Sequence, residues 1–505
     1  MRTKRTLLNM IFSVISLLIS SVLSMLLTRT VLLHLGSDYN GLNGTITQFL
    51  SVLVLFESGF TIAALVKLYK PFGDENYDEI NKILSKTKKK FSTIGWLMLI
   101  VGTIAAAIYI LFIKTNVDYA VVLAMFFFSV ASTAFNFAYT YKFRLMFQVS
   151  QKEYVIYLVN IIQYLIMYGG MILIVGLTQN IVIARAFNFA MNVASGFAIG
   201  IAAKKIFPYA KYNIECSEVQ IDGTKDLLVS KIVGILYNSL TFFYMSTFVG
   251  TVQTSIYAVY NSVMSIIHNF TNVALNAPQN ALGQIINTEK DKLKKTLEEY
   301  EYTSVFLASV LLSATMALYI PFIRIYTDGV TDVDYIRPEI ALLLVLITVT
   351  QMIHIPSGKC IELSGNFKIA KKIQMITLVM LAAFSAAGAY LNGLIGLLVA
   401  KLATNLILAA MEVGYTHTKI AEGTLGSFFV TVIPNVAVLS AMAFAEYKLL
   451  ADIQMDLLMF FFAGVAVVTV NTAVLLLFGL IFYPKLIKKL FIRAKNLIIK
   501  KKIST

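Results

Sequence analysis

Fourteen apolar runs parted by short polar segments constrain this chain more than any other feature. They lie at roughly 7–33, 42–68, 92–113, 119–141, 154–176, 181–203, 227–249, 255–285, 301–325, 338–357, 373–391, 393–413, 426–446 and 457–483. A helix needs about 20 apolar residues to cross a bilayer, and most of these runs meet that length. They do not alternate as the strands of an outer-membrane barrel would. The chain is 58% hydrophobic and 14% charged, against about 25% charged for a soluble domain. The expectation is an all-α polytopic membrane protein of about 14 transmembrane helices. The first run is too long, and lacks the small-residue cleavage site, to be a signal peptide, so it is expected to remain as a helix.

The net charge of +15 does not point to nucleic acid, because the basic residues are sorted by side. With the N-terminus placed inside, 35 of the 42 Lys and Arg fall in the inner segments and the two tails, as the positive-inside rule requires. Both termini are then cytoplasmic. The inner loop at 71–90 carries Ile80, Ile83 and Leu84 on one face and is expected to form an interfacial helix, as is the basic tail at 485–502. Cys216 and Cys360 are expected in separate inner loops as free thiols, with no disulfide framework.

An internal repeat is suggested by "LGSDYNGLNGTITQFL" at 35–50 and "VGTVQTSIYAVYNSVM" at 249–264, an offset of 214 residues. Near the same offset, "ARAFNF" at 184–189 meets "AKLATN" at 400–405, each with a cation inside an apolar run. The resulting division is an N-lobe at 1–203, a cytoplasmic inter-lobe loop at 204–226, a C-lobe at 227–413, two further helices at 414–483 and a basic cytoplasmic tail at 484–505. Two six-helix lobes would share orientation and be related by an axis along the membrane normal.

Charge inside a membrane is costly and marks function until a structural partner is found. Three cations fall in the outer half of the bilayer: Arg29, Arg185 and Lys401. They either snorkel to the headgroups or line a cationic cavity for a phosphate or pyrophosphate, which suits the bidentate geometry of Arg. At one depth in the inner half lie Glu57, His268 and His354. Glu57, in "LVLFESGFTIAAL", is read as the only acid well inside a span. It is either a helix brace or a group that exchanges H⁺ or holds Na⁺ during transport. Asn261, Asn269, Asn272, Asn276 and Asn280 give run 8 an amide-rich character, suited to helix–helix contact or to sugar hydroxyls. No phosphate loop, metal-spaced His/Cys cluster or sizeable outer loop is present, so no enzyme, cofactor or metal is expected.

The segment "NGLNGTITQFLSVLVLFESGFTIAALVKLYKPF" at 40–72, followed by "DEINKILSKTKKKF", resembles the start of bacterial Wzx-type polysaccharide flippases. "IPSGKCIELSGNFKIAKK" at 355–372 is similar to that family's segment between spans 10 and 11. These flippases belong to the multidrug/oligosaccharidyl-lipid/polysaccharide exporter superfamily. The resemblance implies a MATE-like, inverted-V transporter in the bacterial plasma membrane. It would move undecaprenyl-(pyro)phosphate-linked oligosaccharide to the outer leaflet by alternating access, coupled to H⁺ or Na⁺. Polysaccharide polymerase and glycosyltransferases are the implied partners, beside membrane lipids. Arg29, Arg185 and Lys401 would be its headgroup-binding candidates, with Glu57, His268 and His354 for coupling. The alternatives are a teichoic-acid or peptidoglycan-precursor flippase, and a multidrug or cation antiporter of the same fold. The antiporter would favour acids in the cavity, where intramembrane cations here outnumber the single acid.

Overall fold

A computed structural model describes residues 2–54, 60–214, 225–286, 290–484 and 487. Among the described residues the chain is helical throughout, without strands. That is the arrangement in which a chain in lipid satisfies its own backbone. The helices are α1 (Arg2–Leu35), α2 (Ser37–Leu53), α3 (Phe60–Gly73), α4 (Tyr77–Ile110), α5 (Tyr119–Phe135), α6 (Tyr141–Val149), α7 (Tyr154–Thr178) and α8 (Ile181–Ile206). They continue as α9 (Lys225–Tyr244), α10 (Thr251–Ile285), α11 (Lys290–Tyr326), α12 (Pro338–Leu363), α13 (Phe367–Tyr415), α14 (Gly426–Leu450) and α15 (Leu457–Phe482). Three π-helical turns interrupt them: π1 (Asn136–Thr140), π2 (Met245–Val249) and π3 (Thr416–Ile420).

Eleven helical stretches among the described residues are long and apolar enough to cross a membrane, so this is a multi-pass membrane protein. One of them contains two of the expected spans. α13 breaks at Asn392 and at Gly393, whose φ of +52° takes it out of helical geometry. The two halves fold back on each other. Ile369 and Ile373 pack with Leu408 and Met411, and a Cβ on Gly388 would lie 2.3 Å from the Gly396 carbonyl oxygen. The expected runs 2 and 8 correspond to α2 with α3 and to α10. Neither counts among the eleven, because α10 is punctuated by Asn, Gln, Ser and Thr and the second run is described only in two pieces.

Packing divides the chain into two compact units. Unit 1 comprises Met1–Ala258, Gly329–Val333 and Ala389–Leu394. Here α7 packs on α1 and α8, and α5 packs on α4 and α8. Its apolar centre includes Met125, Phe126 and Val130 of α5, all fully buried. Unit 2 comprises Val259–Asp328, Asp334–Gly388 and Ile395–Thr505. Its central helix is α11, which packs on α12, α14 and α15. Ser304, Ala308, Ser309, Ser313 and Ala317 of α11 are buried. Such small residues let helices approach closely where no water drives them together.

Both members of the suggested repeat open the same way. Gly36 (φ 90°, ψ 177°) precedes α2, and Gly250 (φ 118°, ψ 164°) precedes α10. This region of backbone space is essentially closed to residues with a Cβ. Ser37 then starts α2 with its N–H on Asp332 Oδ2 at 2.7 Å, while Thr251 starts α10 with its N–H on the Lys114 carbonyl at 3.0 Å.

Two expectations change. The segment expected as an interfacial helix at 71–90 is not separate: from Tyr77 it is the first half of α4. Ile80, Ile83 and Leu84 are buried against protein, so the face that suggested a lipid surface is instead part of the core of unit 1. Cys360 is not in a loop, because α12 continues to Leu363 and buries it. The second expected interfacial helix, at 485–502, and Cys216 lie outside the described residues apart from Ile487.

Candidate substrate site

Unit 1 contains a cavity of about 190 Å³ lined by α5, π1, α8 and Leu50 of α2. Helical spacing builds one wall. Arg185, Asn188 and Asn192 stand at i, i+3 and i+7 on α8, and so share a face. α5 supplies Phe128, Ser129, Ser132 and Thr133, and Asn136 enters where α5 passes into π1. Such a widened turn often re-aims a side chain at a functional position.

The polar groups are not equivalent. Ser129, Ser132 and Thr133 each donate to a carbonyl one turn back, at 2.7, 2.9 and 3.1 Å. Their donors are used within α5, which leaves acceptor lone pairs for the cavity. Asn192 ties α8 to α7 and π1. It donates to Asn188 Oδ1 at 2.6 Å and accepts from Gln163 of α7 at 3.1 Å and from Asn136 of π1 at 3.5 Å. One Arg185 NH₂ donates to Asn43 Oδ1 of α2. The Arg185 Nε is buried with no hydrogen-bond partner. No carboxylate lines the cavity. Its inventory is therefore one cation with an unused donor, set among hydroxyl and amide groups.

The other expected residues are distributed differently. Arg29 is half-buried on α1 and is not part of the cavity wall. Glu57 lies outside the described residues. Lys401, on the second half of α13, is only 7% exposed, and no carboxylate pairs with it among the described residues. Its charge reaches His268 of α10. Asn269, Asn272 and Asn280 are exposed on α10.

His354 is not free. Its Nδ1 lies 2.7 Å from Glu412 Oε2, and both side chains are buried. A second pair, His417 Nε2 with Glu301 Oε1, also spans 2.7 Å and is more deeply buried. Glu301 and Glu412 are acids buried within helices of unit 2. Glu301 and Glu412 stood at the ends of the expected runs 9 and 12. The helices extend past those ends, and a histidine on a neighbouring segment makes each acid tolerable there. The two pairs are linked through α12, where Thr416 Oγ1 donates to the Ser357 carbonyl at 3.0 Å.

Asn43, Asn136, Asn188, Asn192, Glu301, Glu412 and His417 were not singled out from sequence. The signal for the wall of the cavity is present in "RAFNFAMN", where one cation and two amides repeat at the helical period.

No family model and no curated protein matches the sequence. Solved structures do match in fold. One is the lipid II flippase MurJ in an inward closed conformation, with a TM-score of 0.66 and 14% identity over 95% of this chain and 100% of that one. Another is an inward-facing multidrug resistance MATE family transporter of the MOP superfamily, with a TM-score of 0.62 and 12% identity over 85% of this chain and 98% of that one. The MATE multidrug transporter DinF-BH gives 0.57 and 14% identity over 84% and 96%. The chain has the MOP-superfamily transporter fold. That fold agrees with the helical runs of a multi-pass membrane protein.

Proposed function

We propose that this MOP-fold protein is a flippase for undecaprenyl-(pyro)phosphate-linked oligosaccharide, carrying the repeat units of a cell-surface polysaccharide from the inner to the outer leaflet. The observation that carries the reading is the Arg185 cavity. An unpaired guanidinium donor among hydroxyl acceptors and amides suits an anionic, hydroxyl-rich headgroup. It does not suit a cationic drug, which would call for a carboxylate. At about 190 Å³ the cavity is also below the ~300 Å³ at which pockets for drug-sized ligands begin, so it would seat one polar group of a larger molecule.

On this reading the protein sits in the bacterial plasma membrane with both termini in the cytoplasm. It works by alternating access of two six-helix lobes, 1–203 and 227–413. Arg29 and Lys401 assist Arg185 along the path of the headgroup. Coupling to H⁺ or Na⁺ falls to Glu57, His268 and His354, with Glu412 now the partner of His354. The resemblance of 40–72 to Wzx-type flippases favours an oligosaccharide repeat unit as cargo. A second reading keeps the site and changes the glycan to a lipid II-type precursor. The favouring observation is that the MurJ fold runs along 95% of this chain.

Deletion of the gene is the deciding experiment. Lipid-linked sugars should accumulate on the inner leaflet, and their composition separates the two cargoes. Normal export of all lipid-linked sugars, with increased sensitivity to cationic dyes, would instead identify a multidrug antiporter.

A further inference from the structure

A second cationic cluster occurs in unit 1, away from the residues that line the Arg185 cavity. Lys142, on α6, is only 8% exposed. Its ammonium lies over two rings, 4.5 Å from the centre of Tyr139 and 4.9 Å from that of Phe143. Gly200 of α8 makes room for both, since a Cβ there would meet the Tyr139 hydroxyl at 3.0 Å and Phe143 at 3.2 Å. The charged groups that act on Lys142 are two more lysines, Lys88 of α4 and Lys204 of α8. Lys88 is held by the side-chain oxygen of Asn213. Among the described residues no carboxylate pairs with any of the three lysines.

This arrangement is unfavourable as it stands. Like charges close together repel, and the most buried of the three has only ring faces for compensation, worth roughly 0.5–2 kcal/mol. A further donor adjoins it. The Tyr212 ring packs edge-on against Phe143 at 5.1 Å, and its hydroxyl is buried without a partner. Burial pushes the Tyr212 phenol up, so it remains an O–H donor. Three ammoniums and an unused hydroxyl donor, with no acid paired to them among the described residues, form a receptor suited to an anion.

We propose that Lys88, Lys142 and Lys204, with Tyr212, bind a phosphate group. A lysine is a compact point charge that suits a phosphate without fixing its orientation. The phosphate comes either from an anionic lipid headgroup or from a soluble phosphate or pyrophosphate, and the two sources share the chemistry of the site. The site does not depend on the transport reading, because it uses neither Arg185 nor any residue of its cavity.

Native mass spectrometry of the full chain in detergent tests the first source, with phosphatidylglycerol as probe and phosphatidylcholine as the zwitterionic control. Inorganic phosphate and pyrophosphate, read by thermal stabilisation, test the second. Phosphatidylglycerol adducts should exceed those of phosphatidylcholine. Each lysine removed should lower occupancy by about fivefold, in Lys142→Met and in the doubly changed Lys88→Gln, Lys204→Gln chain. Stabilisation by pyrophosphate with no preference for phosphatidylglycerol, lost in the same variants, assigns the site to soluble phosphate. Should Lys142→Met fail to fold, the Lys88→Gln, Lys204→Gln chain decides alone, since both side chains reach the surface. Equal binding of either probe by wild type and variants, or binding of neither by wild type, overturns the proposal.

Discussion

The two units place their intramembrane polarity in opposite ways. Among the described residues of unit 1 no carboxylate is buried. Its cavity pairs a cation with neutral amides and hydroxyls. Unit 2 buries Glu299, Glu301 and Glu412, and two of these acids face histidines at 2.7 Å. A cation among neutral groups has a fixed charge and can recognise an anion. A histidine–carboxylate pair instead joins two segments through one short polar contact. The contrast is between a lone cation in unit 1 and acid–histidine contacts in unit 2; on the proposed function the first would recognise the headgroup and the second would serve coupling.

The largest expected effect tests the first half of that contrast. Arg185→Ala should lower headgroup transport by about thirtyfold or more, as for other truncated charged contacts worth 2–5 kcal/mol, while the protein still inserts and folds. Arg185→Lys should restore little, because it lacks the planar fork that reaches Asn43 and the cavity together. If Lys401→Ala causes an equal loss, recognition is shared between the units and the contrast fails. Transport of a lipid-linked saccharide in reconstituted vesicles measures both.

The second half is tested by the histidine pairs. Glu301→Ala leaves His417 buried without its partner and should destabilise unit 2 by about 3–5 kcal/mol, seen as a lower melting temperature in detergent. Glu301→Gln and Glu412→Gln keep a hydrogen bond and should cost about 1 kcal/mol. If the pairs titrate, these glutamine variants stay folded but lose gradient-driven transport. If transport is unchanged, the pairs only brace helices. Glu57→Gln belongs to the same series. Loss of transport there with unchanged stability would put a titrating acid in the first half of the chain and weaken the division.

Smaller effects follow from packing and from single hydrogen bonds. A Cβ on Gly41 would lie 1.8 Å from the Thr251 carbonyl oxygen, so Gly41→Ala should destabilise unit 1 by about 1–3 kcal/mol. Gly388→Ala should do the same in unit 2. Comparable drops in melting temperature would show that both units depend on one close backbone approach. Asn188→Ala removes one amide from the cavity and should raise KM by about fivefold, the equivalent of ~1 kcal/mol, with little change in kcat.

Much of the helical plan was legible because lipid leaves a backbone few alternatives, and run length then fixes where helices fall. Gly36 and Gly250 stand at matching places in the two quoted segments, and both take backbone angles that favour glycine. The site was legible in part. Arg185 and Lys401 stood out as charges in apolar runs, and His354 as a titratable group at depth. Their partners did not stand out. Glu301 and Glu412 lay at run ends, where hydropathy alone treats an acid as solvated, and the histidines that hold them are 116 and 58 residues away in the chain. Amides such as Asn192 are neutral and common in membrane helices, and only the third dimension makes them a wall. Lys142 and Lys204 were counted as inner-side charges, a bookkeeping role that hid their mutual proximity.

The α13 hairpin has a consequence for how the chain is made. A turn of two residues between its halves provides no loop that could be threaded across a bilayer on its own. Joint entry of the two halves as a closed pair is therefore the expected route into the membrane. On that expectation Lys401, in the second half, would enter the lipid with a neighbouring helix beside it rather than alone.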